Sequence, residues 1–406
     1  MRPPAGAVGM VVVLALLGAP LGGHAQDAPP KRPKLPAGAD SNDVESYLAI
    51  ARHDVESDPG VSSRAFYWAA RLQPDRAEAY YGRIVAQMLD DHDLLSLHFD
   101  GGGNEKERKK DRQIDSVYAL AFSFDPFLVP VWDKALRVAH IEMRMHGDGS
   151  AVQRREIEEE LSKRGPGWKA WLFYVAGQYR QALDFYSLVS RSNPKDDYLL
   201  ARRAELHFRL LESDSALKYY AEAVKVANAA QANQDRLVRF YKPKAVYEYM
   251  TGFVHESRGN VAAAREAYGR SLTEDLSLFV GHQRLGLLAL AAADTASAIS
   301  ELRLGTEIAP NNAVLRFQYA AVLTRAGRLP EAVPELKRVI ESEPWFADPY
   351  LLLARLYDAS ELHEDARTLY RGFLSRSRRT DSQRAFAADR LATLGSPVAP
   401  PAASDH

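Results

Sequence analysis

A short stretch rich in aspartate and histidine has the residue types of a metal site. Its members are Asp90, Asp91, His92, Asp93, His98 and Asp100. Carboxylate oxygens and imidazole nitrogens are ligands that divalent cations accept. The stretch follows no calcium-loop spacing, and the triglycine at 101–103 leaves its geometry unfixed, so a solvated loop is the favoured interpretation. A metal-dependent enzyme that uses the Asp90–Asp100 cluster stays open as an alternative.

Other catalytic signatures occur only as fragments. Two His-Glu pairs, at 255–256 and 363–364, begin like the zinc-protease motif HExxH. Gly259 and Arg367 stand where that motif needs its second histidine ligand. The triglycine lacks the lysine and the serine or threonine of a phosphate-binding loop. The sequence therefore predicts a protein that is not an enzyme and that carries neither a cofactor nor a metal site.

The composition limits the classes of partner and site. The 406 residues include 52 Lys plus Arg and 53 Asp plus Glu, which gives a formal net charge of -1. A protein that binds duplex nucleic acid normally has a clear basic excess, so no nucleic-acid partner is expected. With no cysteine, the chain has no disulfide, no thiolate metal ligand and no cysteine nucleophile.

Small residues recur along the chain at a fixed interval of 34 residues. The three series are Gly252-Gly286-Ala320-Ala354, Gly259-Ala293-Gly327 and Ala264-Ala298-Ala332-Ala366. Four residues after each member of the last series comes an aromatic residue or a leucine. Such a period indicates a repeat protein whose units bury their apolar faces only by stacking on one another.

This pattern resembles the tetratricopeptide repeat, a helix pair with small residues at positions 8, 20 and 27 and an aromatic residue at position 24. Nine candidate units begin at residues 43, 77, 129, 163, 197, 245, 279, 313 and 347, and the six within 163–230 and 245–380 match well. The resemblance implies an all-α fold, a right-handed α-solenoid of about nine helix-turn-helix repeats. We expect a capping helix at Ser382–Leu394 to cover its last apolar face.

The same resemblance implies that one face of each first helix lines the concave surface, where ligands usually lie. Positions 2, 5, 9 and 12 share that face at 100° per residue. The candidate partner-binding residues, called the groove stripe below, are Val246, Tyr249, Phe253, Gln283, Leu287, Phe317 and Arg355. The alternative is that these side chains pack against neighbouring helices and never meet a ligand.

The ends of the chain are predicted to lie outside the array. Residues 1–25 have the pattern of a secretory signal peptide, with Arg2 followed by an apolar core at 7–17. That core is too short to span a bilayer, so we expect cleavage and an exported protein, periplasmic or secreted, without an integral membrane segment. Residues 26–42 are predicted to be a Pro-rich linker and 395–406 a disordered tail.

The array fills the rest of the chain. Residues 43–244 hold degenerate N-terminal repeats with insertions, and residues 245–394 hold the C-terminal repeats with their capping helix. No room is left for a separate catalytic domain. We therefore predict a non-catalytic scaffold that binds a protein or peptide partner in an apolar concave groove. A purely structural spacer in an envelope assembly is a further alternative.

Overall fold

A computed structural model describes residues 29–91, 117, 120–127, 159, 163, 165–232 and 243–395. Within these ranges every element of regular structure is a helix, and each helix packs most extensively on its neighbours in the chain. The predicted all-α solenoid of helix-turn-helix repeats is thereby confirmed. The candidate unit that begins at 129 lies mostly outside the described residues, as do the predicted signal peptide and most of the predicted tail.

The helices fall into three groups along the chain. The N-terminal unit contains α1 (Val44–Asp54), α2 (Pro59–Leu72) and α3 (Ala77–Asp90). The central helices are α4 (Pro166–Val175), α5 (Tyr179–Ser192), α6 (Asp197–Arg209) and α7 (Ser213–Ala232). The C-terminal helices are α8 (Pro243–Ser257), α9 (Val261–Glu274), α10 (Phe279–Ala291), α11 (Thr295–Ile308), α12 (Ala313–Arg325), α13 (Leu329–Ser342), α14 (Asp348–Ala359), α15 (His363–Arg376) and α16 (Arg384–Gly395). No described helix is long and apolar enough to cross a membrane.

The first helix of each well-matched unit ends in one residue with left-handed backbone geometry. These residues recur at the same repeat position and are Gly177, Leu211, Gly259, Ala293, Gly327 and Glu361, with φ between 60° and 74°. In each, the following N–H donates to the carbonyl five residues earlier, as from Asn260 to His255 at 2.9 Å. This arrangement satisfies carbonyls at the helix end and favours glycine. The recurrence of glycine at this position thus has a backbone cause.

The small residues at repeat positions 8 and 20 lie where two helices meet. Ala264 and Ala298 are completely buried. A Cβ added to Gly252 would lie 2.6 Å from the ring of Tyr268, and one added to Gly286 would lie 2.7 Å from Leu302. The large residue at position 24 therefore packs directly on the small residue at position 8 of its own unit.

The final helix covers the end of the array. It begins at Arg384, within two residues of the predicted start of the capping helix. Its Ala387 is fully buried in a cluster with Tyr370 and Phe373 of α15. Arg390 Nη2 lies 2.8 Å from Asp358 Oδ1 on α14, so an ion pair also fastens the cap to the last unit.

The described part of the predicted Pro-rich linker packs against the N-terminal unit. Leu35 packs against the apolar cluster of the N-terminal unit. The Arg32 guanidinium lies 4.2 Å from the ring centre of Trp68, whose Nε1 donates to Pro30 O at 2.9 Å. A Pro-rich segment can pack in this way because its extended backbone leaves side chains and carbonyls free for tertiary contacts.

The N-terminal unit also contacts the last two repeats. Asn42 Nδ2 donates to Ser375 O at 2.9 Å, and Arg71 Nη1 lies 2.5 Å from Glu343 Oε2. Burial raises the pKa of Glu343, whereas Arg71 acts in the opposite direction. The start and the end of the described array are therefore in direct contact, a feature that the sequence pattern did not predict.

Candidate partner-binding groove

The groove stripe lies on the first helices of consecutive units, α8, α10, α12 and α14. Its seven residues differ in accessibility. Val246, Tyr249 and Gln283 are buried, and Arg355 is exposed. The half-buried members are Phe253, Leu287 and Phe317. The apolar surface that a partner can reach is therefore narrower than the sequence pattern alone indicates.

The N-terminal end of the stripe is covered by residues 120–127, called the inner segment below. The ring of Phe127 stacks on Phe208 of α6 with centroids 5.1 Å apart. It also meets Phe253 edge-on at 5.4 Å, and Phe122 lies 6.1 Å from Tyr249. Two predicted partner-binding aromatic residues thus contact aromatic side chains of the same chain.

Polar contacts fix the inner segment as well. Arg209 Nη2 donates to Phe127 O, and its guanidinium lies 5.4 Å from the Phe127 ring centre. Phe127 N donates to Asp125 Oδ1 at 2.8 Å, which forms a turn across Pro126. Tyr81 of α3 donates its hydroxyl hydrogen to Asp125 O at 3.2 Å. Burial raises the pKa of the Asp125 carboxyl.

In its middle, the stripe carries polar groups beside the apolar ones. Gln283 Nε2 donates to Gln318 Oε1 at 2.9 Å and so connects α10 to α12. The Arg284 guanidinium lies 5.4 Å from the ring centre of Phe253. Burial raises the pKa of the neighbouring Tyr249 phenol above its ordinary value.

At the C-terminal end, stripe residues meet the chain that follows them. Phe317 contacts Phe346 edge-on with centroids 5.2 Å apart. Arg355 Nη2 donates to Gln383 Oε1 at 2.5 Å, and its guanidinium lies 4.6 Å from the Phe386 ring centre. Although Arg355 is exposed, its visible role is to contact the capping helix.

The catalytic fragments of the sequence have structural partners where they are described. Tyr268 donates to Glu256 Oε2 at 2.6 Å, and Arg367 Nη1 lies 2.7 Å from Glu364 Oε1. Of the acidic cluster, Asp90 and Asp91 are described, and His92 to Asp100 lie outside the described residues. No group of three or more potential metal ligands converges within the described part of the chain.

Sequence reasoning missed Phe122 and Phe127 as members of this surface. Their segment, LAFSFDPF, lies within residues 43–244, for which the sequence predicts degenerate repeats with insertions. Ala121 is buried against Tyr81 of α3. The available signal is the density of phenylalanine, since Phe122, Phe124 and Phe127 are three rings within six residues.

One family model and several solved structures are similar to parts of this chain. A family model described as tetratricopeptide repeat matches residues 323–383. No curated protein matches the chain. One similar solved structure is that of YrrB, a TPR protein with an unusual peptide-binding site. The sequence identity is 21% and the TM-score is 0.41, and the alignment covers 51% of this chain and 98% of YrrB. A second is the APC/C hetero-tetramer Cut9-Hcn1, with 14% sequence identity and a TM-score of 0.39. That alignment covers 87% of this chain and 81% of the matched chain. Residues 323–383, which run from the end of α12 to the start of the cap, are thus similar in sequence to the tetratricopeptide repeat.

Proposed function

We propose that this protein is a non-catalytic scaffold that binds a protein or peptide partner along the groove stripe. The observation that carries the proposal is the position of Phe253, Leu287 and Phe317. These three apolar side chains lie on consecutive first helices, and each keeps part of its surface accessible. Apolar side chains repeated along an array form a continuous surface that a partner's side chains can cover.

Gln283 of the stripe and the adjacent Gln318 favour an extended peptide as the bound element. Gln283 and Gln318 use one donor and one acceptor on each other, while an amide side chain offers two donors and two acceptor sites. The remaining groups of the half-buried Gln318 are available for a peptide backbone. A partner that contributes apolar side chains to Leu287 and Phe317 and backbone groups to Gln318 fits this arrangement.

Export of the protein is part of the proposal. The pattern of residues 1–25 supports secretion, and the absence of cysteine is compatible with an oxidising compartment because no thiol needs protection. The partner is then a protein of the periplasm or of the extracellular space.

The test is an affinity capture from the native envelope fraction with wild-type protein and a Leu287→Ala/Phe317→Ala variant. Truncating two anchors of an interface commonly costs about 2 kcal/mol or more, so the variant should bind the partner at least about thirtyfold less tightly. Val261→Ala is the control, since Val261 is 42% exposed on the second helix α9 of the same array. Capture that is unchanged in the folded double variant contradicts the proposal.

A further inference from the structure

The inner segment, residues 120–127, contacts the N-terminal unit through Ala121 and Asp125 beside Tyr81, and it also contacts helices much later in the chain. In a solenoid each unit packs on its immediate neighbours. Phe127 instead packs on Phe208 and Phe253, which belong to the units that begin at 197 and 245. The bond from Arg209 to the Phe127 carbonyl joins residues that are 82 positions apart.

The receptor side of this contact is built from two helices. Phe208 of α6 and Phe253 of α8 lie 5.9 Å apart and meet at 76°, so the two rings form an angular seat for a third ring. Arg209, next in the chain to Phe208, is held by Glu205 at 3.3 Å and by the Tyr179 hydroxyl at 3.2 Å. A guanidinium fixed in this manner is preorganised to donate to a peptide carbonyl.

On the ligand side, the turn at Asp125-Pro126 presents Phe127 to the seat. The carboxylate of Asp125 accepts from the Phe127 N–H, and proline fixes its own φ, so the turn is held within the segment itself. Phe122, five residues earlier, supplies the second ring against Tyr249. Two aromatic side chains and the Phe127 carbonyl therefore all contact α6 or α8.

The two rings of the seat are partly accessible, whereas the two rings of the inner segment are buried. Phe208 and Phe253 are only half-buried with the inner segment in place, and Phe122 and Phe127 each keep 9% of their surface exposed. Tyr249 and Tyr268 beneath them are fully buried. Phe122 and Phe127 belong to the same apolar core cluster as Tyr249 and Tyr268, and Phe208 and Phe253 pack against it, so a competing segment has to replace these buried contacts.

We infer that the inner segment is an internal ligand of the groove, and that the partner's binding element is a peptide with two aromatic side chains spaced like Phe122 and Phe127. This inference rests on the proposed function. The partner's peptide thus has a defined chemistry, and competition with the inner segment regulates its binding to the groove. An external peptide of this class replaces the internal copy, and the internal copy suppresses binding of weaker peptides. Because the internal copy is tethered, its effective concentration is high and only a well-matched partner displaces it.

In the experiment, the double substitution Phe122→Ala/Phe127→Ala in the full chain removes the rings that pack on Phe208, Phe253 and Tyr249; this protein is called the vacated variant. The probe is a fluorescein-labelled peptide with the sequence of residues 120–127, LAFSFDPF. Fluorescence anisotropy should show at least about tenfold tighter binding to the vacated variant than to wild type, because wild type carries the competing copy. The same peptide with alanine in place of its first and last phenylalanine should not bind. Adding Phe208→Ala to the vacated variant should remove binding.

Three results would overturn the inference. The first is equal affinity for wild type and vacated variant. The second is no binding at about 1 mM peptide to a vacated variant with wild-type helix content. The third is loss of helix content across the whole array in both the double variant and Phe127→Ala, which makes the segment a core element. The proposed function is tested separately, by partner capture that depends on Leu287 and Phe317. None of these three results decides the outcome of that test.

Discussion

Trp68 and Trp345 stack with their ring centroids 5.7 Å apart and their planes within 9° of parallel. Trp68 belongs to α2 of the N-terminal unit, whereas Trp345 lies in the connection between α13 and α14. The Arg71–Glu343 ion pair lies in the same two elements and reinforces the contact. This stack joins the first described unit to the last repeats. The N-terminal unit is therefore contacted on α2 by Trp345 and on α3 by the inner segment.

We expect Trp345→Ala to loosen the N-terminal unit selectively. A stacked aromatic pair contributes about 0.5–1.5 kcal/mol beyond its buried area. Amide hydrogen exchange in α1–α3 should therefore accelerate, while α9–α12 stay as protected as in wild type. Trp171→Ala, a change in α4, is the control and should leave α1–α3 unaffected. Equal acceleration in every helix of Trp345→Ala would show that the stack does not act locally.

The left-handed position between paired helices predicts opposite effects for opposite substitutions. A side chain in this conformation costs about 1–2 kcal/mol. Glycine removes that cost but adds about 0.4–1 kcal/mol of unfolded-state entropy. Ala293→Gly should raise the free energy of unfolding by about 0.5–1 kcal/mol, and Gly259→Ala should lower it by a similar amount. Urea unfolding of both variants measures this, and a shift of the same sign in both would refute the backbone explanation.

Two glycines in one hairpin provide a test of close helix packing. A Cβ at Gly252 would meet the Tyr268 ring, whereas one at Gly269, in the middle of α9, meets nothing within 4 Å. Gly252→Ala should lower the free energy of unfolding by about 1–3 kcal/mol through overpacking. Gly269→Ala should raise it by about 0.5–1 kcal/mol through helix propensity. Equal melting temperatures for the two variants would mean that the Tyr268 ring moves aside with no loss of folding free energy.

Periodic contacts were predictable from the sequence, and contacts without a period were not. The 34-residue recurrence identified Gly252 and Gly259 as repeated small residues, and the structure gives each a local role, against Tyr268 and in a left-handed turn, because the same local packing problem is solved again in each unit. Asn42 and Ser375 are 333 positions apart and meet once. The stripe residues lie on consecutive first helices, whereas the contact of Phe127 with Phe253 depends on a segment that obeys no repeat.

The predicted signal peptide leads to a measurement on the protein as its host produces it. If residues 1–25 are removed on export, mass spectrometry of the purified protein should find a mature N-terminus at or near Gln26. The protein should also appear in the soluble exported fraction. Recovery of a membrane-bound chain that begins at Met1 would replace the signal peptide with an uncleaved anchor.

The attachment of the capping helix should depend on pH through Asp358. Its carboxylate accepts from Arg390 Nε at 2.9 Å, from Arg390 Nη2 at 2.8 Å and from the Tyr370 hydroxyl at 3.0 Å. Arg390 first and Tyr370 second hold the pKa of Asp358 below its ordinary value of 3.8. A carboxyl with a lowered folded-state pKa stabilises the fold above its unfolded-state pKa, and that contribution is lost as the pH falls through the folded-state value.

The stabilising contribution of Asp358 should therefore be complete above about pH 4 and should decline progressively at lower pH. Urea unfolding of wild type and Asp358→Asn across this range measures it, because asparagine keeps the size of the side chain and removes the charge. The difference in unfolding free energy between the two proteins should be constant at neutral pH and should shrink in acid. Arg390→Gln should show the same loss at neutral pH and the same convergence. A difference that stays constant into strong acid would mean that the attachment of α16 depends on the apolar contacts of Ala387 and not on the ion pair.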